Sequence, residues 1–111
     1  MSARGERIGL NEAVFREVNE RIESLADKFQ LSQEPLDLVC ECGDATCDRR
    51  ISMTRAEYER VRSESRQFAV HPGHEIPDVE SVVAKCRGYD IVEKDGGAAE
   101  QIAEQTDPRQ G

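Results

Sequence analysis

The sequence has no tryptophan, and aromatic residues of all kinds make up only 5% of its 111 residues. Apolar residues reach 37%, and charged residues reach 34%. So few large side chains make a thin hydrophobic core, and a chain of this length has room for one domain but not for two. A small domain with a thin core needs an additional source of stability, and a bound metal ion can provide it.

Long apolar runs are also missing. No stretch approaches the roughly 18 apolar residues of a membrane-spanning helix. The start of the chain leads directly into a charged helical pattern, without the apolar segment of a secretion signal. We therefore expect a cytoplasmic protein, where cysteines stay reduced and favour metal binding over disulfides. The net charge of −8 gives no general attraction to DNA or to anionic membranes.

The recognisable enzyme signatures are absent as well. The sequence contains no HExxH, GxSxG or P-loop motif, and neither of the two motifs of zinc deaminases. We therefore expect a protein that is not an enzyme.

What the sequence does contain is a cluster of cysteines. Cys40, Cys42 and Cys47 lie within eight residues, and a Pro-Gly pair precedes His74. Three thiolates and one imidazole make a Cys₃His set, which is common at structural zinc sites. Four protein ligands leave no position open for water, so the pattern predicts one structural zinc ion per chain.

Alternatives exist for the fourth ligand. His71 is the second choice, although Pro72 holds it in an extended conformation. Asp44, Asp48 or a water molecule could also complete the site. A Cys₄ site with Cys86 is less favoured, because Cys86 shares a predicted helix face with valines and is expected to be a buried, unreactive thiol. An iron–sulfur cluster is possible, but the spacing is not typical of one.

The helix and strand patterns predict an α+β domain with a small antiparallel sheet, a long N-terminal helix and a zinc-stapled β-hairpin. Residues 1–9 are expected to be flexible, residues 10–95 to form the domain, and residues 96–111 to form a weak helix and a disordered tail. Within the domain, residues 10–30 form the helix and residues 36–53 the metal hairpin. Thr54 and Glu57 match a capping box at the start of a second helix. Further elements are a strand at 68–70, a helix from Pro77 that ends at Gly88, a strand from Tyr89, and the weak helix at 98–105.

The long helix carries an apolar stripe, and its first interpretation is packing against the core. The members of the stripe are Leu10, Val14, Val18, Ile22, Leu25 and Phe29, widened by Phe15 and Ala26. The rest of the chain has few large side chains to cover so wide a stripe. One edge is therefore predicted to contact a partner protein or a second copy, either Phe15, Ile22 and Phe29 or Val14, Val18 and Leu25.

Arginines are concentrated after the cysteines. A possible nucleic-acid patch consists of Arg49, Arg50, Arg55, Arg62 and Arg66. The simpler interpretation is a solvated helix face that is balanced by ion pairs with neighbouring acids.

Three segments together resemble a group of small proteins of high-GC Gram-positive bacteria. These segments are the helix LNEAVFREVNERI, the C-x-C-x₄-C stretch and the PGHE turn. The resemblance covers about residues 8–95. It implies that Cys40, Cys42, Cys47 and His74 belong to the shared pattern, and it implies no activity.

The expected function is a non-enzymatic zinc-binding adaptor or regulator that contacts an unknown protein partner or a second copy through its N-terminal helix. A nucleic-acid-associated regulator that uses the arginine patch is the second interpretation. A zinc–thiolate site that responds to oxidation is the third.

Overall fold

The computed structural model of the protein describes residues 3–28 and 35–109. In chain order it contains α1 (Ala3–Lys28), β1 (Leu36–Val39), β2 (Arg50–Met53), α2 (Arg55–Arg62), β3 (Gln67–Val70), β4 (Glu80–Cys86), β5 (Tyr89–Lys94) and α3 (Gly97–Gln105). The predicted α+β class is confirmed, with a long N-terminal helix and antiparallel strands. The capping box at Thr54 and Glu57 is also present at the start of α2. No helix in the described ranges is both long and apolar enough to cross a membrane.

The strands form two small sheets. β1 pairs with β2, and a three-stranded sheet has the order β3-β5-β4, with every pairing antiparallel. The cysteines follow β1 and precede β2, so the predicted metal hairpin is present. The two sheets meet where the backbone N–H of Glu41 donates to the carbonyl of Ala69, at 2.9 Å. This junction brings the end of β1 next to the end of β3.

The helix predicted from Pro77 is wrong, because residues Glu80–Cys86 form strand β4. The register pairs Cys86 with Tyr89, so Arg87 and Gly88 make a two-residue hairpin connection. Gly88 has a φ of 89°, a conformation that glycine adopts without steric cost and that tight hairpins require. The glycine that the sequence suggested as a helix stop is therefore a hairpin turn.

Helix α1 begins at Ala3, so the flexible segment predicted for residues 1–9 is wrong over residues 3–9. Small residues let α1 and α3 approach closely. A Cβ at Gly9 would lie 3.1 Å from the Ala99 Cα and 3.2 Å from the Ile102 Cβ. This packing holds the first turns of α1 in place.

The expectation that the apolar stripe of α1 packs against the core is also wrong for four of its eight members. The buried face instead consists of Gly5, Ile8, Gly9, Glu12, Arg16, Asn19, Glu23 and Ala26. Leu10, Val14, Val18 and Leu25 are exposed, at 55%, 60%, 38% and 54%. Phe15 and Ile22 are half-buried, and Ile22 packs against the core. Phe29 lies outside the described residues.

The buried polar side chains of α1 each find partners, which is why this face can turn inward. Arg16 donates to the carbonyls of Ser65 and Ala103, both at 2.7 Å. Glu12 accepts from the Lys94 ammonium group at 2.5 Å, and Glu80 accepts from the same group. We call Glu12, Lys94 and Glu80 the buried triad; Glu12 and Lys94 join α1 to β5. Burial raises the pKa of Glu12 well above its ordinary value.

The weak helix predicted at 98–105 is present as α3, but the disordered tail is wrong over residues 106–109. Asp107 pairs with the buried Arg62. Arg109 donates to Glu20, Glu23 and Glu59 at 2.6 to 2.9 Å. The segment is therefore tied to both α1 and α2 by charged groups.

Candidate metal centre

The four predicted ligands come together from three parts of the chain. Cys40 and Cys42 follow β1, Cys47 precedes β2, and His74 lies in the loop between β3 and β4. Their ligand atoms all lie within 4.8 Å of one another. They are thus close enough to hold one metal ion.

The distances to the imidazole can be compared with a tetrahedral site. The His74 Nδ1 atom lies 3.6 Å from the Cys40 Sγ and 3.5 Å from the Cys47 Sγ. In a tetrahedron with metal–sulfur bonds of about 2.3 Å and metal–nitrogen bonds of about 2.0 Å, a sulfur and a nitrogen are separated by about 3.5 Å. These two sulfur–nitrogen distances therefore match those of a Cys₃His site.

A tight turn shapes the tip of the hairpin between Cys42 and Cys47. The Asp44 carboxylate accepts from the backbone N–H of Thr46 at 2.9 Å and from its hydroxyl at 2.7 Å. The backbone N–H of Cys47 donates to the Asp44 carbonyl at 3.0 Å. These bonds return the chain so that the Cys47 thiol faces the other two.

His71 contributes its backbone rather than its ring. Its N–H donates to the Cys40 Sγ at 3.1 Å, a contact that favours the thiolate form. Its Nδ1 lies 3.2 Å from the Pro72 carbonyl, on the exposed side of the loop. Among the described residues, the ligand cluster includes His74 and does not include His71.

The three thiols have different proton affinities. Hydrogen bonding with Cys42 and burial raise the pKa of Cys40. The same hydrogen bond lowers the pKa of Cys42 to about 5, with further help from the Asp44 backbone and from His74. Burial raises the pKa of Cys47. Cys42 is therefore the first of the three to become a thiolate, the form that binds metal.

A buried carboxylate between Cys40 and Cys42 connects the site to the protein core. Glu41 lies between two cysteines just after β1, and its side chain is fully buried in the core. It accepts from the Asn19 amide at 2.8 Å, the Tyr58 hydroxyl at 2.7 Å and the Ala69 N–H at 3.0 Å. Burial raises the pKa of Glu41, while these three hydrogen bonds lower it.

Asn19 links α1 to the same segment. Its amide nitrogen donates to the Val39 carbonyl, and its amide oxygen accepts from the Val39 N–H, both at 2.8 Å. Asn11 donates to the Gly43 carbonyl, also at 2.8 Å. Helix α1 thus binds the backbone on both sides of Cys40 and Cys42.

The sequence interpretation missed Glu41 and Asn19, although two signals could have found them. A charged residue between two strand cysteines that share the metal side must point to the opposite side. On α1, the polar residues Glu12, Arg16, Asn19 and Glu23 recur at three- and four-residue spacing, which is itself a helical stripe.

Cys86 lies on β4, outside the ligand cluster. Its thiol is half-buried and packs against the core around Tyr58 and Tyr89. This position agrees with the predicted packing role, although the side chain is less buried than expected.

The arginine patch is largely neutralised by carboxylates. The side chain of Arg62 has no exposed surface and pairs with Glu20 and Asp107. Further pairs join Arg50 to Asp37, Arg55 to Asp27, and Arg66 to Glu64 and Glu100. Arg49 is exposed. The five arginines therefore do not form one free basic surface.

Comparison with protein-family models, with curated proteins and with solved structures finds no match. The resemblance to small bacterial proteins stays a prediction. Fold and site together define a small α+β domain with a Cys₃His cluster that is able to hold a metal ion.

Proposed function

We propose that this protein is a non-enzymatic zinc-binding adaptor or regulator that acts through protein–protein contacts. One zinc ion per chain is bound by Cys40, Cys42, Cys47 and His74. The ion has a structural role, because four protein ligands fill a tetrahedral zinc shell. The reducing environment of the cytoplasm keeps these thiols available for metal.

Zinc is the metal that the donor set favours. Three sulfurs and one imidazole nitrogen at tetrahedral spacing suit zinc better than calcium or magnesium, which prefer oxygen ligands. When bound, the ion draws the thiols into their deprotonated form and cross-links the β1–β2 hairpin to the loop after β3. In a domain with few large apolar side chains, this link contributes directly to folding.

The observation that carries the adaptor role is the exposed stripe of α1. We call Leu10, Val14, Val18 and Leu25 the α1 stripe; all four are among the large apolar side chains with substantial exposure. Exposed apolar side chains that line up along one helix mark a surface for protein contacts more often than single exposed residues do. Helix α1 is also the element that binds the metal hairpin through Asn11 and Asn19. Zinc therefore stabilises the domain that presents the stripe.

The test begins with metal content. Protein purified without chelator should contain about one zinc per chain by elemental analysis. Cys40→Ser, Cys42→Ser and Cys47→Ser should each lose most of it, and Cys86→Ser should not. Metal-free protein that is fully folded, or zinc retained in all three variants, would refute the metal assignment.

The second part of the test addresses protein contacts. Pull-downs from native lysate with the wild type should capture a partner that the Val14→Ser/Val18→Ser double variant does not capture. Val83→Ser is the matched control, because Val83 is 49% exposed but lies on β4. Equal capture by the wild type and the stripe variant would mean that α1 is not the contact surface.

A second candidate function, a site that responds to oxidation, is supported by an open cavity beside the cluster. Cys42 and His74 line an open cavity of about 370 Å³ together with Asp44, Gly73, Glu75 and Ile76. A peroxide could enter there and accept two electrons from two thiolates. One disulfide would form, and hydrogen peroxide with two protons would become two water molecules, leaving too few thiolates for zinc. Stoichiometric zinc release by peroxide that a dithiol reverses would favour this role, and zinc retention would exclude it.

A further inference from the structure

The α1 stripe forms one continuous narrow surface. At about 100° per residue, its four members fall within an arc of about 80° around the helix axis. From Leu10 to Leu25 it extends for about 22 Å. Val14, Glu17, Val18 and Arg21 line a shallow open groove of about 180 Å³ near its centre. A surface of this length and width is large enough for another helix to pack along it.

Basic residues share this arc. Arg7, Arg21 and Lys28 lie among the apolar side chains and are all exposed, while Glu6 and Glu17 lie along one edge. Arg21 makes an exposed ion pair with Glu17 at 3.3 Å. Arg7 and Lys28 form no ion pair within the described ranges. In a chain with a net charge of −8, this face has more cations than anions.

The cations occupy three of four successive positions of a seven-residue period. Positions 7, 14, 21 and 28 hold Arg, Val, Arg and Lys, and positions 11, 18 and 25 hold Asn, Val and Leu. A seven-residue period on a helix surface is what another helix packs against in coiled-coil geometry. The complement of this face is a helix with apolar residues opposite the stripe and carboxylates opposite the cations.

A second copy of the chain does not meet this requirement. A parallel pair in register would place each cation opposite its own equivalent. An antiparallel pair that matches Leu10 with Leu25 would place Arg7 opposite Lys28. Like charges in facing positions disfavour both arrangements.

From this complementarity, and resting on the proposed function, we infer that the α1 stripe binds an acidic amphipathic helix of a partner protein. The apolar side of that helix lies on Val14, Val18 and Leu25. Its Asp or Glu residues, recurring at seven-residue spacing, pair with Arg21 and Lys28. Charge gives the contact its specificity and its dependence on salt, whereas the apolar stripe provides the buried surface.

The inference is tested with two synthetic helical peptides and the zinc-loaded protein. Both peptides have the same leucine seam; one has Glu and the other Lys in the flanking positions. Calorimetry or fluorescence anisotropy should give at least about tenfold tighter binding of the Glu peptide at low salt, which corresponds to about 1.4 kcal/mol. The preference should shrink as salt is raised, because exposed charge pairs are screened.

Variants separate the two components of the contact. Arg21→Glu/Lys28→Glu should reverse the peptide preference, and Val14→Ser/Val18→Ser should weaken binding of the Glu peptide by about tenfold or more. Val83→Ser should leave binding unchanged.

Several results would overturn the inference. These are equal binding of both peptides, binding of neither, a preference unaffected by charge reversal, or self-association in sedimentation that the stripe variant abolishes. Binding to vesicles with anionic headgroups in place of the peptides would also overturn it. If zinc content and capture of a lysate partner hold while the peptide preference fails, only this inference is lost; absence of zinc would refute the proposed function itself.

Discussion

Replacement of Asn19 by alanine tests whether α1 holds the metal hairpin in place. The Asn19 side chain makes three hydrogen bonds at 2.8 Å, two with the backbone of Val39 and one with the carboxylate of Glu41. The four exposed residues of the α1 stripe face away from the hairpin. Polar contacts of this kind are therefore what fix the backbone next to Cys40.

The expected loss follows from these three bonds. A neutral hydrogen bond contributes about 1 kcal/mol net, and one to a charged group contributes about 1.5–3 kcal/mol. Val39 is half-buried, so water can replace part of the loss at the backbone. We therefore expect Asn19→Ala to lower the free energy of unfolding by about 3 kcal/mol. For a domain with a typical stability of about 5–15 kcal/mol, this is a large fraction.

The measurement is urea unfolding followed by circular dichroism, with zinc and with a chelator. Zinc affinity should fall by about tenfold, as is typical when a group behind the metal ligands is removed. Asn11→Ala is the matched control on the same helix, because Asn11 makes one hydrogen bond to the loop, with the Gly43 carbonyl. Its expected cost is about 1 kcal/mol.

Two results would contradict a role of Asn19 in holding the hairpin. One is an Asn19→Ala protein within about 0.5 kcal/mol of the wild type, which is the range of neutral surface substitutions. The other is an equal effect of Asn19→Ala and Asn11→Ala. Either result would mean that the hairpin is held mainly by its own turn and by the metal.

Three further predictions concern the interior. Lys94→Met should lower the free energy of unfolding, measured with urea, by about 3–5 kcal/mol, because it leaves the carboxylates of the buried triad without a cation. A loss below about 1 kcal/mol would contradict a stabilising role of the buried triad. Gly43→Ala should cost about 1–3 kcal/mol in thermal unfolding, because its Cβ would overlap the Ile8 side chain, and Ile8→Ala should recover part of this cost. Glu23 has a pKa raised to about 7 by burial and by a hydrogen bond with Glu59, against an ordinary value of 4.5. Between pH 4.5 and about pH 7, Glu23 is therefore protonated in the folded state and deprotonated in the unfolded state. The contribution of Glu23 to the free energy of unfolding falls as pH rises through this range. Stability of Glu23→Gln relative to the wild type should increase from pH 5 to pH 8, and a constant difference would contradict the raised pKa.

The residues of the Cys₃His cluster could be predicted because their chemistry is encoded locally. Cys40, Cys42 and Cys47 lie within one hairpin, and strand alternation with a turn is enough to bring their thiols together. His74 comes from a distant loop, but the Pro-Gly turn before it and the scarcity of histidine left few alternatives. A site can be predicted from sequence when most of its ligands are close together in the chain and few other residues could take their place.

Strand β4 shows where local pattern fails. Val79, Val82, Val83 and Cys86 have helical spacing, and Pro77 suits a helix start. Valine also favours strands, and pairing with β5 supplies backbone hydrogen bonds to this segment that its own sequence does not reveal. Whether this segment forms a helix or a strand is decided by its pairing with β5, which follows Gly88 in the chain.

The amino-acid sequence alone was enough to predict the α+β class, the existence of the first helix and the group of residues able to hold a metal. Which side of α1 faces the core was decided only by the tertiary structure. Apolar patterning predicts the inward face on the assumption that the buried partner is apolar. Here the partners are the backbone of the metal hairpin, a lysine on β5 and the carbonyls of a loop and of α3. Polar side chains satisfy these groups better than leucine or valine, so the polar face is buried and the α1 stripe remains exposed.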